Sequence, residues 1–233
     1  MEIGPGGGVL TEQLLMAGAR VVAIEIDPAW ASVTRRRLPQ RDLRLIVGDA
    51  LDLDWSRFPQ GTLVAGNLPF AVATRLIDRI LDQADTIPKS GFMLQKEVAD
   101  RVLAAPREKA YGALTVTTTA RASPSLLSRI AAGSFYPRPE VGASFVGFES
   151  RRPAVGWDAW PEFVELVHLA FSQRRKQLRN VLAGTLEKRW ASEVLRRASL
   201  SSSCRAEELS GDDFVRLFRL LRDGVASEGS IEE

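Results

Sequence analysis

The hydrophobic positions of the first 150 residues fall into two kinds of stretch. Short runs rich in Val, Ile and Leu, typical of buried strands, lie at 21–26, 43–47, 63–66 and 91–94. Stretches with helical spacing lie between them, at 10–17, 29–37, 73–82 and 96–104. This regular alternation predicts an α/β domain with a mostly parallel sheet, of the doubly wound Rossmann-like class. A later strand at 143–149 is expected to pair with 126–130 as an antiparallel edge.

The pattern changes after an Arg-Arg-Pro linker at 151–153. Beyond it, apolar residues at three- and four-residue spacings predict helices at 160–171, 174–186, 191–197 and 211–221. We therefore predict an α/β domain over 1–150 and a small all-helical domain over 151–224. The polar residues 225–233 are predicted to form a disordered tail.

The composition of the chain excludes several classes of protein and of metal site. Of the 233 residues, 45% are hydrophobic and 26% are charged, as is usual for a globular protein. No apolar run is long enough to span a membrane, and the N-terminus lacks the pattern of a signal peptide. The single cysteine, Cys204, excludes an internal disulfide and a cysteine-rich zinc site. We expect a cytoplasmic monomer with no bound metal.

The net charge is only +2, but the basic residues are unevenly distributed. Between 171 and 197, eight basic residues face two acidic ones, Glu187 and Glu193. Such a patch indicates either a polyanionic partner or a solvated helix face, and charge alone leaves both open. The basic residues of this segment are Arg174, Arg175, Lys176, Arg179, Lys188, Arg189, Arg196 and Arg197.

A glycine-rich loop at 2–8 lies between a strand end and a helix. Gly4 and Gly6 have no Cβ, so the backbone can approach a ligand closely, although a tight turn without chemistry has the same pattern. Glu25 ends the second strand, where it can accept hydrogen bonds from both ribose hydroxyls of a nucleoside. Asp49, followed by Ala50, ends the third strand and would accept from an adenine amino group. No Gly-Lys-Ser/Thr follows the glycines, so the loop is not of the phosphate-binding P-loop type. A nucleoside whose attached chain carries no phosphate fits these residues better, and we favour S-adenosylmethionine over a dinucleotide.

The fourth strand delivers Asn67, followed by Leu68, Pro69 and Phe70, to the carboxyl edge of the sheet. The Asn67 amide oxygen and the Leu68 carbonyl can each accept one N–H of an exocyclic adenine amine. Pro69 makes the turn rigid, and Phe70 offers a ring for the base to stack on. The alternative is an ordinary turn beside a packed aromatic residue.

These motifs resemble the ribosomal RNA adenine-N6 dimethyltransferases. The resemblance runs from Glu2 to about Leu221. It rests on the segments 2–6, 66–70, 92–101, 111–112, 135–141, 171–180 and 205–210. The segments 92–101 and 171–180 are similar to the branch of the family that modifies small-subunit rRNA.

The resemblance implies dimethylation of two adjacent adenosines in a hairpin loop near the 3′ end of 16S rRNA, in pre-30S particles, with S-adenosylmethionine as donor. Gly4, Glu25, Asp49 and Asn67 match donor-contacting residues of the family. Asn67, Leu68, Pro69 and Phe70 match its target-adenine site, with Phe70 in place of the more usual Tyr. Family members also carry a Gly-Gln-Asn-Phe-Leu segment before the glycine loop, and we expect such a segment to be missing from this chain.

The basic segment is then interpreted as a clamp for the RNA backbone, formed by Arg174, Arg175, Lys176 and Arg179. Two other functions stay open. One is an antibiotic-resistance methylase acting on 23S rRNA, which the basic C-terminal segments disfavour. The other is a non-catalytic ribosome-assembly factor, which the intact Asn-Leu-Pro-Phe sequence disfavours.

Overall fold

The computed structural model describes residues 1–39, 42–69, 71–134, 141–184 and 188–228. The chain divides into two compact units. The first comprises Met1–Ala99 and Ala122–Arg151, and the second comprises Asp100–Arg121 and Arg152–Glu233. The division after Arg151 coincides with the predicted linker. Residues 100–121, which the sequence pattern places in the first domain, group instead with the C-terminal helices.

The first unit is built on a seven-stranded sheet with the order β3-β2-β1-β4-β5-β7-β6. The first five strands in this order are parallel, while β7 is antiparallel to both β5 and β6. The mostly parallel α/β fold predicted from the alternation is thereby confirmed. The strands are β1 (Glu2–Ile3), β2 (Val21–Glu25), β3 (Leu43–Val47), β4 (Leu63–Asn67), β5 (Lys89–Gln95), β6 (Ala122–Ile130) and β7 (Ala143–Ser150).

An α-helix follows four of the five parallel strands, as the pattern predicts, whereas β3 is followed by two short 3₁₀ turns. They are α1 (Val9–Met16), α2 (Pro28–Arg37), α3 (Ala73–Leu81) and α4 (Lys96–Leu103). The start of α2 is fixed by Asp27, whose side chain accepts a 2.8 Å hydrogen bond from the N–H of Ala29, and by Pro28 in the first turn. In α3, Leu76, Ile77 and Ile80 are buried on one face because they recur at helical spacing.

The second unit is helical and encloses its own apolar core. Its helices are α5 (Ala113–Arg121), α6 (Trp160–Phe171), α7 (Leu178–Leu182), α8 (Lys188–Arg197) and α9 (Gly211–Glu228). Phe163 and Phe214 are fully buried at its centre, and the Phe163 ring meets that of Phe218 edge-on at 5.6 Å. No helix of the described residues is long and apolar enough to cross a bilayer.

One sequence prediction for this unit is wrong. The helix predicted over 174–186 is confined to Leu178–Leu182, and residues 172–177 form turns after α6. The segment 185–187 lies outside the described residues. The last helix, α9, continues to Glu228, and residues 229–233 of the predicted tail lie outside the described part of the chain.

Candidate active site at the carboxyl edge of the sheet

Predicted site residues lie at the carboxyl ends of four neighbouring parallel strands. Gly4 follows β1, Glu25 ends β2, Asp49 follows β3 and Asn67 ends β4. Since the order of these strands is β3-β2-β1-β4, the residues follow one another along the edge as Asp49, Glu25, Gly4 and Asn67. Three strand spacings separate β3 from β4, or about 14 Å. The sheet reverses its winding between β1 and β4, which is where open α/β sheets bind ligands.

Gly4 and Asn67 are direct neighbours at this point of reversal. Ile3 pairs with Gly66 across β1 and β4, so the residues that follow lie side by side. A Cβ on Gly4 would lie 3.8 Å from the Asn67 carbonyl oxygen. At Gly66 a Cβ would lie only 2.6 Å from the Ile3 carbonyl oxygen, so glycine is required for these two strands to pair. The pairing of β1 with β4 therefore places the glycine loop beside the Asn67 turn.

The glycine loop is anchored by the carboxylate of Glu25. Oε2 of Glu25 accepts a 3.0 Å hydrogen bond from the Gly6 N–H, and Oε1 accepts a 3.1 Å bond from the Asp27 N–H. Glu25 is only 6% exposed, and the hydroxyl of Thr34 also donates to the Gly6 carbonyl. Gly6 has a φ of 51°, which favours glycine. Glu25 therefore positions the loop, and each of its oxygens keeps a second lone pair for a ligand.

A cavity of about 850 Å³ opens beside the loop. One side is formed by the loop residues 4–7, the beginning of α1 and Trp30, and the other by Asn67, Met93, Ser134 and Phe145. Of the predicted site residues, Gly4, Gly6 and Asn67 line it. Glu25, Asp49 and Ala50 do not line it, although they continue the same edge towards β3.

Asp49 and Ala50 have a local structural role in addition to the predicted one. Oδ1 of Asp49 accepts a 2.8 Å hydrogen bond from the N–H of Leu51 and caps the short 3₁₀ turn Ala50–Asp52. Ala50 is buried, and Asp49 is half-buried. The cap uses Oδ1 and fixes the direction of the carboxylate, so Oδ2 remains as an acceptor.

The turn that begins at Asn67, which the sequence predicts to bind the target amine, is accessible to solvent. Asn67 and Pro69 are exposed, whereas Leu68 is buried and holds the turn to the sheet. Within the described residues, neither the Asn67 side chain nor the Leu68 carbonyl has a hydrogen-bond partner. Both acceptors are thus free to bind an amine. Phe70, the predicted stacking residue, lies outside the described residues.

Glu2 is a cavity residue that the sequence analysis did not single out. Its side chain is 1% exposed, and burial raises the pKa of its carboxyl above the ordinary 4.5. The neighbouring Thr11 hydroxyl opposes this rise in pKa, but within the described residues Oε2 has no hydrogen bond of ordinary geometry. A buried acceptor without a partner beside a cavity can bind a cation or an N–H donor.

The basic residues of the second unit differ in their exposure and in whether they form an ion pair within the protein. Nε of Arg174 lies 2.7 Å from Oε2 of Glu207, and its Nη2 donates to the Glu108 carbonyl, so part of its charge is neutralised internally. Arg175 and Lys176 are exposed in the turn before α7, and Arg179 is half-buried in its first turn. A single helix over 174–186 would have placed Arg175 and Arg179, four residues apart, on one face, but Arg175 lies outside α7 and the two residues share no helix face. No group of three or more His, Cys, Asp or Glu side chains in the described residues could hold a metal ion.

Comparison with known proteins adds independent evidence. A family model described as ribosomal RNA adenine dimethylase matches residues 1–223. A protein of Acidithiobacillus ferrooxidans named ribosomal RNA small subunit methyltransferase A is 37% identical over 221 residues, which cover 93% of this chain and 81% of the relative. A protein of the same name from Rubrobacter xylanophilus is 38% identical over 221 residues, covering 94% and 83%.

Solved structures show the same fold. A dimethyladenosine transferase from Plasmodium falciparum superposes with a TM-score of 0.79 at 23% identity, covering 96% of this chain and 90% of that one. The 23S rRNA methyltransferase ErmE superposes with a TM-score of 0.72 at 24% identity, covering 95% and 89%. At these sequence identities, the two similarities are evidence for the fold and not for a shared function.

Proposed function

The chain belongs to the ribosomal RNA adenine dimethylase family, and on that premise we propose that it dimethylates N6 of two adjacent adenosines in the 3′-terminal hairpin loop of 16S rRNA. The substrate is the RNA within the pre-30S particle, the methyl donor is S-adenosylmethionine, and the enzyme acts as a cytoplasmic monomer. The observation that carries the proposal is the pairing of β1 with β4, which puts Gly4 of the glycine loop beside Asn67 in one cavity.

The residues present fit S-adenosylmethionine, which supplies a methyl group activated on a sulfonium. The cavity of about 850 Å³ is within the usual range for small-molecule sites, about 300–1,000 Å³. Gly4 and Gly6 present backbone without a Cβ, and Oε2 of Glu2, which has no hydrogen-bond partner in the described part of the chain, is available to the cationic part of the ligand. Glu25, Asp49 and Ala50 continue this edge and are proposed to hold the ribose and adenine.

The Asn67 turn positions the acceptor amine. We assign the Asn67 amide oxygen and the Leu68 carbonyl as acceptors for its two N–H groups, since both lack partners within the described residues. Accepting these two hydrogen bonds turns the nitrogen lone pair away from the ring and towards the donor side of the cavity. Holding the two reactants in this geometry supplies most of the acceleration. The proton lost after transfer passes to solvent, and no metal or covalent enzyme intermediate takes part.

The target base must leave its stack to reach Asn67, which costs less from a loop than from a duplex. Phe70 is proposed to stack on the base once it enters. Arg175, Lys176 and Arg179 are proposed to contact RNA phosphates, with Arg174 contributing less because of its pairing with Glu207.

The choice of substrate is tested with purified subunits from a strain that lacks the native enzyme. Both 30S and 50S subunits are incubated with the protein and S-adenosylmethionine, and the rRNAs are digested and analysed by mass spectrometry. The proposal predicts N6,N6-dimethyladenosine at two adjacent positions of 16S rRNA and none in 23S rRNA. Methylation of 23S rRNA would instead identify a resistance-type methylase, and binding of 30S precursors without methylation would identify an assembly factor.

A further inference from the structure

An apolar wall extends the cavity beyond Asn67. Asn67 of β4 pairs with Met93 of β5, and Met93 pairs with Phe145 of β7. Paired residues on neighbouring strands point to the same face of a sheet, so these three side chains form one row. All three line the cavity. Asn67 is therefore followed along the sheet by a thioether and then by an aromatic ring.

The position of the Phe145 ring is defined by a glycine. A Cβ on Gly91 would lie 3.1 Å from Cζ and 3.2 Å from Cε1 of Phe145. The ring therefore extends over the backbone of β5 at Gly91, two residues before Met93 and on the same face. Phe92 and Leu94, on the opposite face, are fully buried, whereas Met93 and Phe145 are half-buried and open to the cavity. Ring and thioether together make a polarisable apolar surface.

This surface bears on the second of two methyl transfers, and the inference rests on the proposed function. In the first transfer the amine carries two N–H groups, which the Asn67 oxygen and the Leu68 carbonyl accept. After that transfer one N–H has become N–CH₃, and a methyl group opposite a carbonyl oxygen leaves that polar acceptor unsatisfied. The remaining N–H can keep one acceptor only if the methyl group finds an apolar surface nearby.

We propose that Met93 and Phe145 form the surface that receives the first methyl group, and that they thereby permit dimethylation. The chemical class of ligand is an N6-monomethylated adenine. In the second transfer the secondary amine attacks the donor methyl carbon, the carbon–sulfur bond breaks, and the amine proton passes to solvent. Phe145 acts as a specificity-determining residue, because its contact distinguishes the monomethylated base from the unmodified one.

The test compares the products of Phe145→Ala, Met93→Ala and the wild type in a timed reaction with 30S subunits. The ratio of N6-methyladenosine to N6,N6-dimethyladenosine is measured by mass spectrometry. Loss of the contact with one methyl group corresponds to about a fourfold rise in that ratio. Phe145→Leu keeps an apolar side chain and should restore a ratio near that of the wild type.

Phe148→Leu is the matched control, because Phe148 lies on the same strand but is buried on the other face against Phe92. It lowers stability without touching the cavity, so its product ratio should equal that of the wild type. A wild-type ratio in both Phe145→Ala and Met93→Ala, with the two transfers slowed equally, overturns the inference. If Phe145→Ala does not fold, as thermal unfolding will show, Met93→Ala decides. Failure of the wild type to form either product would contradict the proposed function instead.

Discussion

The carboxylate of Glu25 accepts a 3.0 Å hydrogen bond from the backbone N–H of Gly6, and this contact ties the end of β2 to the glycine loop after β1. The residue predicted to hold the ribose is thus also the anchor of the loop beside the donor cavity. Because Glu25 is buried and its other oxygen accepts from Asp27, the carboxylate cannot turn away without losing both backbone bonds. The proposed ribose contact and the loop geometry therefore depend on one side chain.

Glu25→Ala should weaken S-adenosylmethionine binding and also lower the melting temperature. A charge-assisted hydrogen bond is worth about 1.5–3 kcal/mol, so the dissociation constant should rise about tenfold to a hundredfold. Calorimetric titration and thermal unfolding measure the two effects. Glu149→Ala removes an exposed carboxylate that pairs with Lys89 away from the cavity and serves as the control. Unchanged donor affinity in Glu25→Ala would show that the residue is not part of the donor site.

Gly66→Ala should separate β1 from β4, because its Cβ would lie 2.6 Å from the Ile3 carbonyl oxygen. Overpacking of this kind costs about 1–3 kcal/mol, and methyl transfer should fall with it because Gly4 and Asn67 move apart. Gly112→Ala is the comparison, since a Cβ there meets nothing within 4 Å and should change the free energy of unfolding little. Equal stability of the two variants in urea would contradict the strand contact.

The Glu2 carboxyl should make stability depend on pH. Burial raises its pKa above 4.5, so the folded protein holds the proton to a higher pH than the unfolded chain does. Its contribution is therefore fully present below pH 4.5 and is lost as pH rises through the raised pKa. Glu2→Gln cannot ionise and should lack this loss, yet bind S-adenosylmethionine less tightly.

Urea unfolding at about pH 4 and about pH 8 provides the comparison for Glu2. The free energy of unfolding of Glu2→Gln relative to the wild type should increase with pH. A difference that stays constant over this interval would mean that Glu2 has an ordinary pKa in the folded protein.

Replacing Arg175 and Arg179 by Gln should weaken binding to 30S precursors while leaving donor binding unchanged. Each lost phosphate contact makes the salt dependence shallower by about one unit in the log–log slope, so we expect about one to two units. Arg196→Gln offers a control, because Arg196 already pairs with Glu193 at 2.6 Å. An unaltered slope in the double variant would indicate a solvated surface with no RNA contact.

The position of Gly4, Glu25, Asp49 and Asn67 at one edge of the sheet follows from sequence alone, because strand alternation assigns them to the ends of parallel strands, whereas their order along that edge comes from the strand order of the structure. The wall formed by Met93 and Phe145 could not be predicted in this way. Phe145 lies 52 positions beyond Met93, and only the antiparallel register of β5 with β7 brings them together. Glu2 was overlooked because its burial depends on the neighbours of β1, which a two-residue strand does not specify.

The helical unit was predicted less well for a physical reason. Apolar spacing extends from 174 to 186, but the chain turns at 172–177, where the Lys176 N–H donates to the Gln173 carbonyl and the Leu178 N–H donates to the Cys204 carbonyl. The first of these bonds closes a local turn, and the second joins residues that are distant in sequence. The spacing of apolar residues carries no information about either bond. The pairing of Arg174 with Glu207 is equally invisible to a count of charges.

The central claim is that Asn67 accepts the target amine beside the donor site. Its most direct test is the single-turnover rate of methyl transfer to 30S subunits by Asn67→Ala, measured together with its affinities for S-adenosylmethionine and RNA. We predict a rate at least about tenfold lower, because one of two amine acceptors is lost, with RNA binding nearly intact and stability unaltered since Asn67 is exposed. A wild-type transfer rate in Asn67→Ala would contradict the account and leave Asn67 as a turn residue.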